Sequence, residues 1–168
     1  MRQAECILER MPDASEDYRI RPAESRDAGL LAQHRAAMFR DMGLVSAAEY
    51  ELLRGASEPW LEGLLSRGLF VGWVVEYEQA VVAGGGVLIR EMGPVPGCCR
   101  VGRWAHVVNV YTDPHHRRRG LARRLMQTIL DWCASHAIDH VTLAASDEGR
   151  PLYEALGFRP TPEMKLSQ

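Results

Sequence analysis

Residues 109 to 126, NVYTDPHHRRRGLARRLM, gather five arginines around one glycine directly after a strand-like run. The chemistry such a turn can do is anion binding. Where a strand gives way to a helix, here expected near residue 118, the first helical N–H groups lack an intrahelical acceptor. The positive end of the helix dipole points the same way. Gly120 lets a ligand approach that backbone without a side chain in between, and Ala122 is nearly as small. Arg118 and Arg123 can add charge-assisted contacts to phosphate oxygens. Two other readings compete: a nucleic-acid footprint, and a helix end that is merely solvated. Positive charge at a helix start is unfavourable unless an anion offsets it, which weakens the solvated reading, although surface screening keeps that penalty small. Neither G-x-G-x-x-G nor G-K-[ST] is present, so the turn belongs to neither a dinucleotide fold nor a P-loop hydrolase.

The rest of the chain limits what the turn can serve. Its 168 residues fit one domain with a real core, and 46% hydrophobic with 25% charged residues is an ordinary globular balance. A formal net charge of -2 argues against a surface built to neutralise a polyanion, and base-stacking aromatics are not interleaved with the arginines, so no nucleic-acid partner is expected. Cys6, Cys98, Cys99 and Cys133 show no pairing or metal spacing, and His115 and His116 have no partner thiol or carboxylate at standard spacing. Free thiols in a reducing cytoplasm and no metal are expected. No apolar run approaches a membrane span, so no membrane partner is expected either. A homodimer is left open.

Patterning then places the elements. Residues 1 to 16 read as a flexible leader and 17 to 168 as a single domain. Tyr18 and Ile20 share one face of a short strand ended by Pro22. Ser25 is positioned to cap a helix with Leu30, Leu31, His34, Ala37, Met38 and Met42 on its stripe, stopped by Gly43. Ser46 and Glu49 are spaced for a capping box, and Gly55 and Pro59 predict two short helices over 47 to 67. Two strands follow as a hairpin about Glu78 and Gln79, with Gly84, Gly85 and Gly86 marking a bulge or close approach in the second. After a loop over 91 to 101, alternation puts His106, Val108, Val110 and Thr112 on one side of a strand and Val107, Asn109 and Tyr111 on the other. Leu121, Leu125, Met126, Ile129 and Cys133 form the stripe of the next helix. HVTLAAS predicts a strand, GRPLYEALGF a short helix stopped by Gly157, and the tail one or two more strands. The order is that of an α+β protein of mixed α/β layers.

VYTDPHHRRRGLARRLM resembles the acyl-coenzyme A binding motif of the Gcn5-related N-acetyltransferase (GNAT) superfamily, in which Q/R-x-x-G-x-G/A opens a helix. Arg117, Gly120 and Ala122 occupy its defining places. ASDEGRPLYEALGF is similar to the second signature of that family, and together the two motifs cover about residues 105 to 159. The resemblance implies a central mixed, mostly antiparallel, splayed sheet flanked by helices, and transfer of an acetyl group from acetyl-CoA to a primary amine of a small molecule or peptide-like acceptor by direct attack in a ternary complex. A catalytically weak or inactive CoA-binding regulatory module is the alternative.

The same resemblance assigns residues. The pyrophosphate would lie on the turn, with Arg117, Arg118 and Arg119 before Gly120 and with Leu121, Ala122 and Arg123 after it. Pantetheine would run along Val110, Tyr111 and Thr112, and an N–H near Val110 would face the thioester carbonyl. Ser146 replaces an asparagine that contacts the cofactor in many relatives, and Gly149 stands where they often carry alanine. Tyr153 matches the tyrosine that protonates the departing thiolate. His106, four residues before Val110, matches a place where some relatives hold a base, and an imidazole has a suitable pKa; a packed core histidine is the competing reading. Asn109 is expected to be structural or to help the splay. His34, Met38 and Asp41 are the candidates for contact with the acceptor.

Overall fold

The computed structural model describes residues 17–94, 102–164 and 166. The leader and most of the loop after residue 92 lie outside the described residues. Strands are β1 (Arg19–Pro22), β2 (Phe70–Tyr77), β3 (Ala80–Met92), β4 (Gly102–Thr112) and β5 (Val141–Leu143); helices are α1 (Ala28–Asp41), α2 (Ala47–Ser66), α3 (Leu121–Ser135) and α4 (Arg150–Ala155). The strands form one sheet in chain order, antiparallel except for the parallel pair β4 and β5. The expected mixed, mostly antiparallel sheet with flanking helices is therefore present.

Each face of the sheet carries its own core. Val75, Ala83, Val87, Ala105 and Val107 pack against the α3 stripe of Leu121, Leu125, Met126, Ile129 and Cys133, the five residues their spacing picked out. On the other face Phe70 and Val74 meet Ala28, Leu31 and Ala32 of α1 and Leu61 and Leu64 of α2. Burying side chains of this size removes them from water at about 1.5–3 kcal/mol each, which is what fixes the helices on the sheet.

Several boundaries depart from expectation for identifiable reasons. Ser25 does not cap α1; it lies in a short 3-10 turn, where the Glu24 N–H donates to Asp27 Oδ2 at 2.7 Å and Arg21 clamps the same carboxylate. The two helices expected over 47 to 67 are one helix, with the Ser46–Glu49 capping box in place. Pro59 removes only one donor, and the buried Ser57, Leu61 and Leu64 hold the helix through it. β3 continues to Met92, shortening the expected loop. The described tail has no strand, since Pro160 and Pro162 remove the donors a ladder would need.

The hairpin turns on Glu78 and Gln79, both at positive φ (47° and 69°), as a two-residue connection demands. Beyond it lies the irregularity that shapes the site. Gly84 pairs with Tyr111 and Gly86 with Val108, so Gly85 faces two residues, Asn109 and Val110. The bulge is thus in β4, where Asn109 adopts φ 60°, and the β3 glycines accommodate it: a Cβ on Gly86 would come within 2.4 Å of the Val71 carbonyl oxygen. The extra residue reverses the alternation. Val110 joins Val107 against α3, whereas Asn109 and Tyr111 turn toward α1, where they meet Arg35 and His34. Asn109, Val110 and Tyr111 therefore lie on the faces opposite to those expected.

Candidate active site

Pairing between β4 and β5 ends at Val107 and Leu143. The expected strand over HVTLAAS is only three residues long, because the chain after Leu143 leaves the sheet. From Val108 onward that edge of β4 has no strand partner among the described residues. A cavity of about 1110 Å³ opens there, walled by β4, α1, the turn before α3, and residues 143–149 with Tyr153.

The turn before α3 forms one end of this cavity. Pro114–His116 is a 3-10 turn, with Asp113 accepting the His115 N–H at 2.9 Å, and α3 begins at Leu121, three residues later than expected. The delay follows from two left-handed residues, Arg118 (φ 63°) and Gly120 (φ 76°). The Arg124 N–H is bonded back to the Gly120 carbonyl at 3.0 Å, which leaves the amides of Leu121, Ala122 and Arg123 without intrahelical acceptors. A Cβ on Gly120 would meet nothing beyond its chain neighbours within 4 Å, so the space beside Gly120 is open. These features fit a pyrophosphate.

Arg117 holds the turn in place. Its Nε donates to the Thr112 carbonyl at 2.9 Å, its NH2 pairs with Asp41 of α1, and its guanidinium lies 5.7 Å from the Tyr111 ring centroid. Burial works against its charge, and the hydrogen bond and charge of Asp41 together with Tyr111 outweigh this, raising its pKa. Asp41 and Arg117 thus come together, each committed to the other. Arg118, Gly120, Leu121, Ala122 and Arg123 line the cavity with Thr112; Arg119 does not.

His106 and Tyr153 both face the same space. His106 Nδ1 lies 2.8 Å from Thr142 Oγ1 across the last β4–β5 pairs, and burial, aided by the charge of Arg90, lowers its pKa. It is neutral at physiological pH. Tyr153 stands on α4, edge-on to Phe158 at 6.1 Å, and burial raises its pKa. Its hydroxyl has no hydrogen-bond partner among the described residues. Gly149 makes room for it: a Cβ there would come within 2.9 Å of Tyr153 Cε2 and 3.1 Å of Ser146 Oγ. Ser146 accepts the Gly149 N–H at 3.1 Å and, through its carbonyl, the Arg150 N–H at 2.9 Å, so it braces the turn leading into α4, whose N-cap is Gly149, and still lines the cavity.

Of the expected acceptor contacts, Met38 and Asp41 line the cavity and His34 does not. His34 is 7% exposed, packed 5.0 Å from the Tyr111 ring, with Nδ1 unpaired among the described residues. Burial lowers its pKa to about 4 against a pull from Asp113. An unfolded histidine takes its proton near 6.5, so between there and about 4 the unfolded chain binds a proton that the folded one refuses, and stability falls with falling pH. The gap corresponds to roughly 3 kcal/mol lost across that window. Urea titrations at pH 7 and pH 4 check this; His34→Gln should flatten the dependence by a comparable amount.

Arg35 went unnoticed in the sequence. It lines the cavity, donates to Asn109 Oδ1 at 2.6 Å, and lies 4.9 Å and 5.1 Å from the ring centroids of Phe39 and Trp60. The helical spacing of Arg35 and Phe39 was the available signal; the Trp60 contact comes from another helix. Among the described residues no cluster of three or more His, Cys, Asp or Glu could hold a metal ion, and no helix is long and apolar enough to cross a membrane.

Known proteins share this fold. The model of the acetyltransferase (GNAT) family matches residues 34–158. A GCN5-related N-acetyltransferase from Ralstonia eutropha JMP134 superposes with TM-score 0.83 and 33% identity, covering 90% of this chain and 98% of that one. A predicted acetyltransferase from Clostridium acetobutylicum, with acetyl-CoA, gives TM-score 0.78 and 24% identity over 90% of this chain and 96% of its own. Human N-acetyltransferase 8 is 28% identical over 92 residues, a stretch of 53% of this chain and only 38% of that protein. The family match over most of the length, on a mixed sheet with the β4–β5 splay, means that the chain belongs to the acetyltransferase (GNAT) family.

Proposed function

We propose that the protein transfers an acetyl group from acetyl-CoA to a primary amine by direct attack, with both substrates bound at once, in the cytoplasm. The observation that carries this reading is the continuity of one cavity from the free amides at the start of α3, along the unpaired edge of β4, to His106 and Tyr153. Acetyl-CoA supplies the activated acyl group when bound. Leu121, Ala122 and Arg123 would hold its phosphates through their backbone N–H groups, with Arg118 and Arg123 adding charge. Val110, Tyr111 and Thr112 would offer the β4 edge to pantetheine, and an N–H near Val110 would stabilise charge developing on the thioester oxygen.

His106, neutral and anchored by Thr142, would accept the proton lost by the amine as the C–N bond forms. Tyr153, kept protonated by burial and with its hydroxyl uncommitted, would give a proton to the thiolate as the C–S bond breaks. Met38 and Asp41 would line the approach of the acceptor.

The test is release of free CoA thiol over a panel of amines. Acceptor-dependent release is expected. At saturating amine, kcat should fall on the acid side with a midpoint below the ordinary imidazole value of 6.5, because burial holds His106 lower. His106→Gln should remove that limb while CoA affinity persists. Tight CoA binding without acceptor-dependent release from any amine would instead favour a cofactor-binding regulatory module.

A further inference from the structure

Arg35 is a half-buried cation for which no carboxylate partner exists among the described residues. Burial disfavours its charge, and a charge removed from water is normally paired. The nearest opportunity on α1, Asp41, is taken by Arg117, and Asp147 and Glu148 are exposed at the start of α4. The guanidinium is held between Phe39 and Trp60 and donates from NH1 to Asn109 Oδ1, so its plane is fixed while donors remain to spare. That same bond identifies the other end of the Asn109 side chain as the amide. Asn109 is 2% exposed, and its Nδ2, closed off from solvent, has no acceptor among the described residues, so Asn109 serves Arg35 through Oδ1 alone. Arg35 in the wall of the cavity therefore carries donors without acceptors, held in place by Asn109 beside the β4 bulge where the acyl group would be delivered.

We infer that the acceptor is an amine carrying an oxyanion, a carboxylate or a phosphate, which docks on Arg35, positioned by Asn109, while its amine faces the thioester. The inference rests on the acetyl-transfer reading and names its substrate class. A planar guanidinium offers paired N–H groups to two oxygens of one acid. An oxyanion there would supply the charge that Arg35 lacks. Uncharged and polycationic amines would leave Arg35 unpaired or repelled, so the arrangement selects against them.

Matched acceptors test this. β-Alanine is compared with β-alaninamide, and phosphoethanolamine with ethanolamine, by CoA-thiol release from the full chain. The acid of at least one pair should be used with kcat/KM about tenfold or more above its neutral partner. Which pair shows the preference identifies the oxyanion. Arg35→Gln should raise KM for that acid roughly 30-fold or more, with a smaller change in kcat, and Arg35→Lys should restore part of the loss. CoA affinity, measured separately, reports that the variants are folded. Equal use of acid and neutral amine by the parent, or the same KM rise for both in Arg35→Gln, overturns the assignment. So does a switch in succinyl-CoA over acetyl-CoA preference with the acid-to-amide ratio intact, because the oxyanion would then belong to the acyl group. If no amine is acetylated, the acetyl-transfer reading fails, and calorimetric titration of β-alanine and phosphoethanolamine into the CoA-saturated protein still decides the site. Saturable binding of either acid that disappears in Arg35→Gln upholds it, and no binding by the parent rejects it.

Discussion

Tyr153→Phe is expected to lower kcat by about 10²–10⁴-fold, the usual contribution of a positioned general acid, while leaving CoA affinity near that of the parent. The two effects separate because the hydroxyl is used chiefly when the thiolate departs, whereas the ring remains to fill its place beside Gly149 and Phe158. Stability should change by less than about 0.5 kcal/mol, since the hydroxyl has no protein partner to lose among the described residues. Burial raises the tyrosine pKa above its ordinary value of 10.0, so the acid form persists through neutral pH and any loss of activity from its ionisation falls above pH 10.0. In the phenylalanine variant that alkaline limb should vanish along with the rate. Steady-state kinetics, a pH profile and a melting curve check the three parts. Unchanged turnover across the profile would remove Tyr153 from the proton path and pass its role to solvent, leaving the family assignment untouched.

What the sequence revealed depended on whether the relevant contact was local. The α3 stripe was legible because helical periodicity and burial report the same face, and the Ser46 and Glu49 cap because both partners lie in one turn. The β3 glycines correctly indicated crowding, but a glycine and its cross-strand neighbour are alternatives in sequence. The extra residue went to Asn109, and one misplaced bulge inverted the faces of Asn109, Val110 and Tyr111. Pro59 overstated its effect because α2 is held by Leu61 and Leu64, whose packing propensity does not include.

At the candidate site the split is similar. Gly120 and its arginines stood out through composition alone, and the structure adds the left-handed turn that exposes their amides. Arg35 did not stand out, because its meaning comes from Trp60 on another helix and from a bulge in a distant strand. His34 attracted notice as a polar member of an apolar stripe, and it is the buried support of Tyr111 rather than part of the cavity wall. A polar residue on a core-facing stripe marks a constraint, and only the neighbours show whether it concerns stability or ligand.

Gly120→Val should reduce CoA affinity by about 10²-fold or more, from two causes that a pair of variants can separate. The first is spatial. A Cβ at residue 120 meets nothing beyond its chain neighbours within 4 Å, so it would occupy open space at the start of α3, where the proposed phosphate approaches. Losing one or two charge-assisted hydrogen bonds at about 1.5–3 kcal/mol each accounts for that magnitude. The second is conformational: at φ 76° a branched side chain is strained, by roughly 1–3 kcal/mol, so the turn itself would tend to shift. Gly120→Ala carries a smaller left-handed penalty, about 1–2 kcal/mol, and a smaller obstruction. The expected order of CoA affinity is therefore parent, alanine, valine, with melting temperatures falling far less than affinity because no core contact is lost. Arg118, the other left-handed residue, provides the control: Arg118→Gly relieves φ 63° and should keep the cradle while losing only one charge. Normal CoA affinity in a folded valine variant would move the pyrophosphate away from this turn. Tight, salt-sensitive RNA binding by the parent would assign the arginines to a polyanion instead, since each phosphate neutralised releases counterions and makes affinity fall steeply with salt, whereas a metabolite held by one backbone cradle depends on salt only weakly.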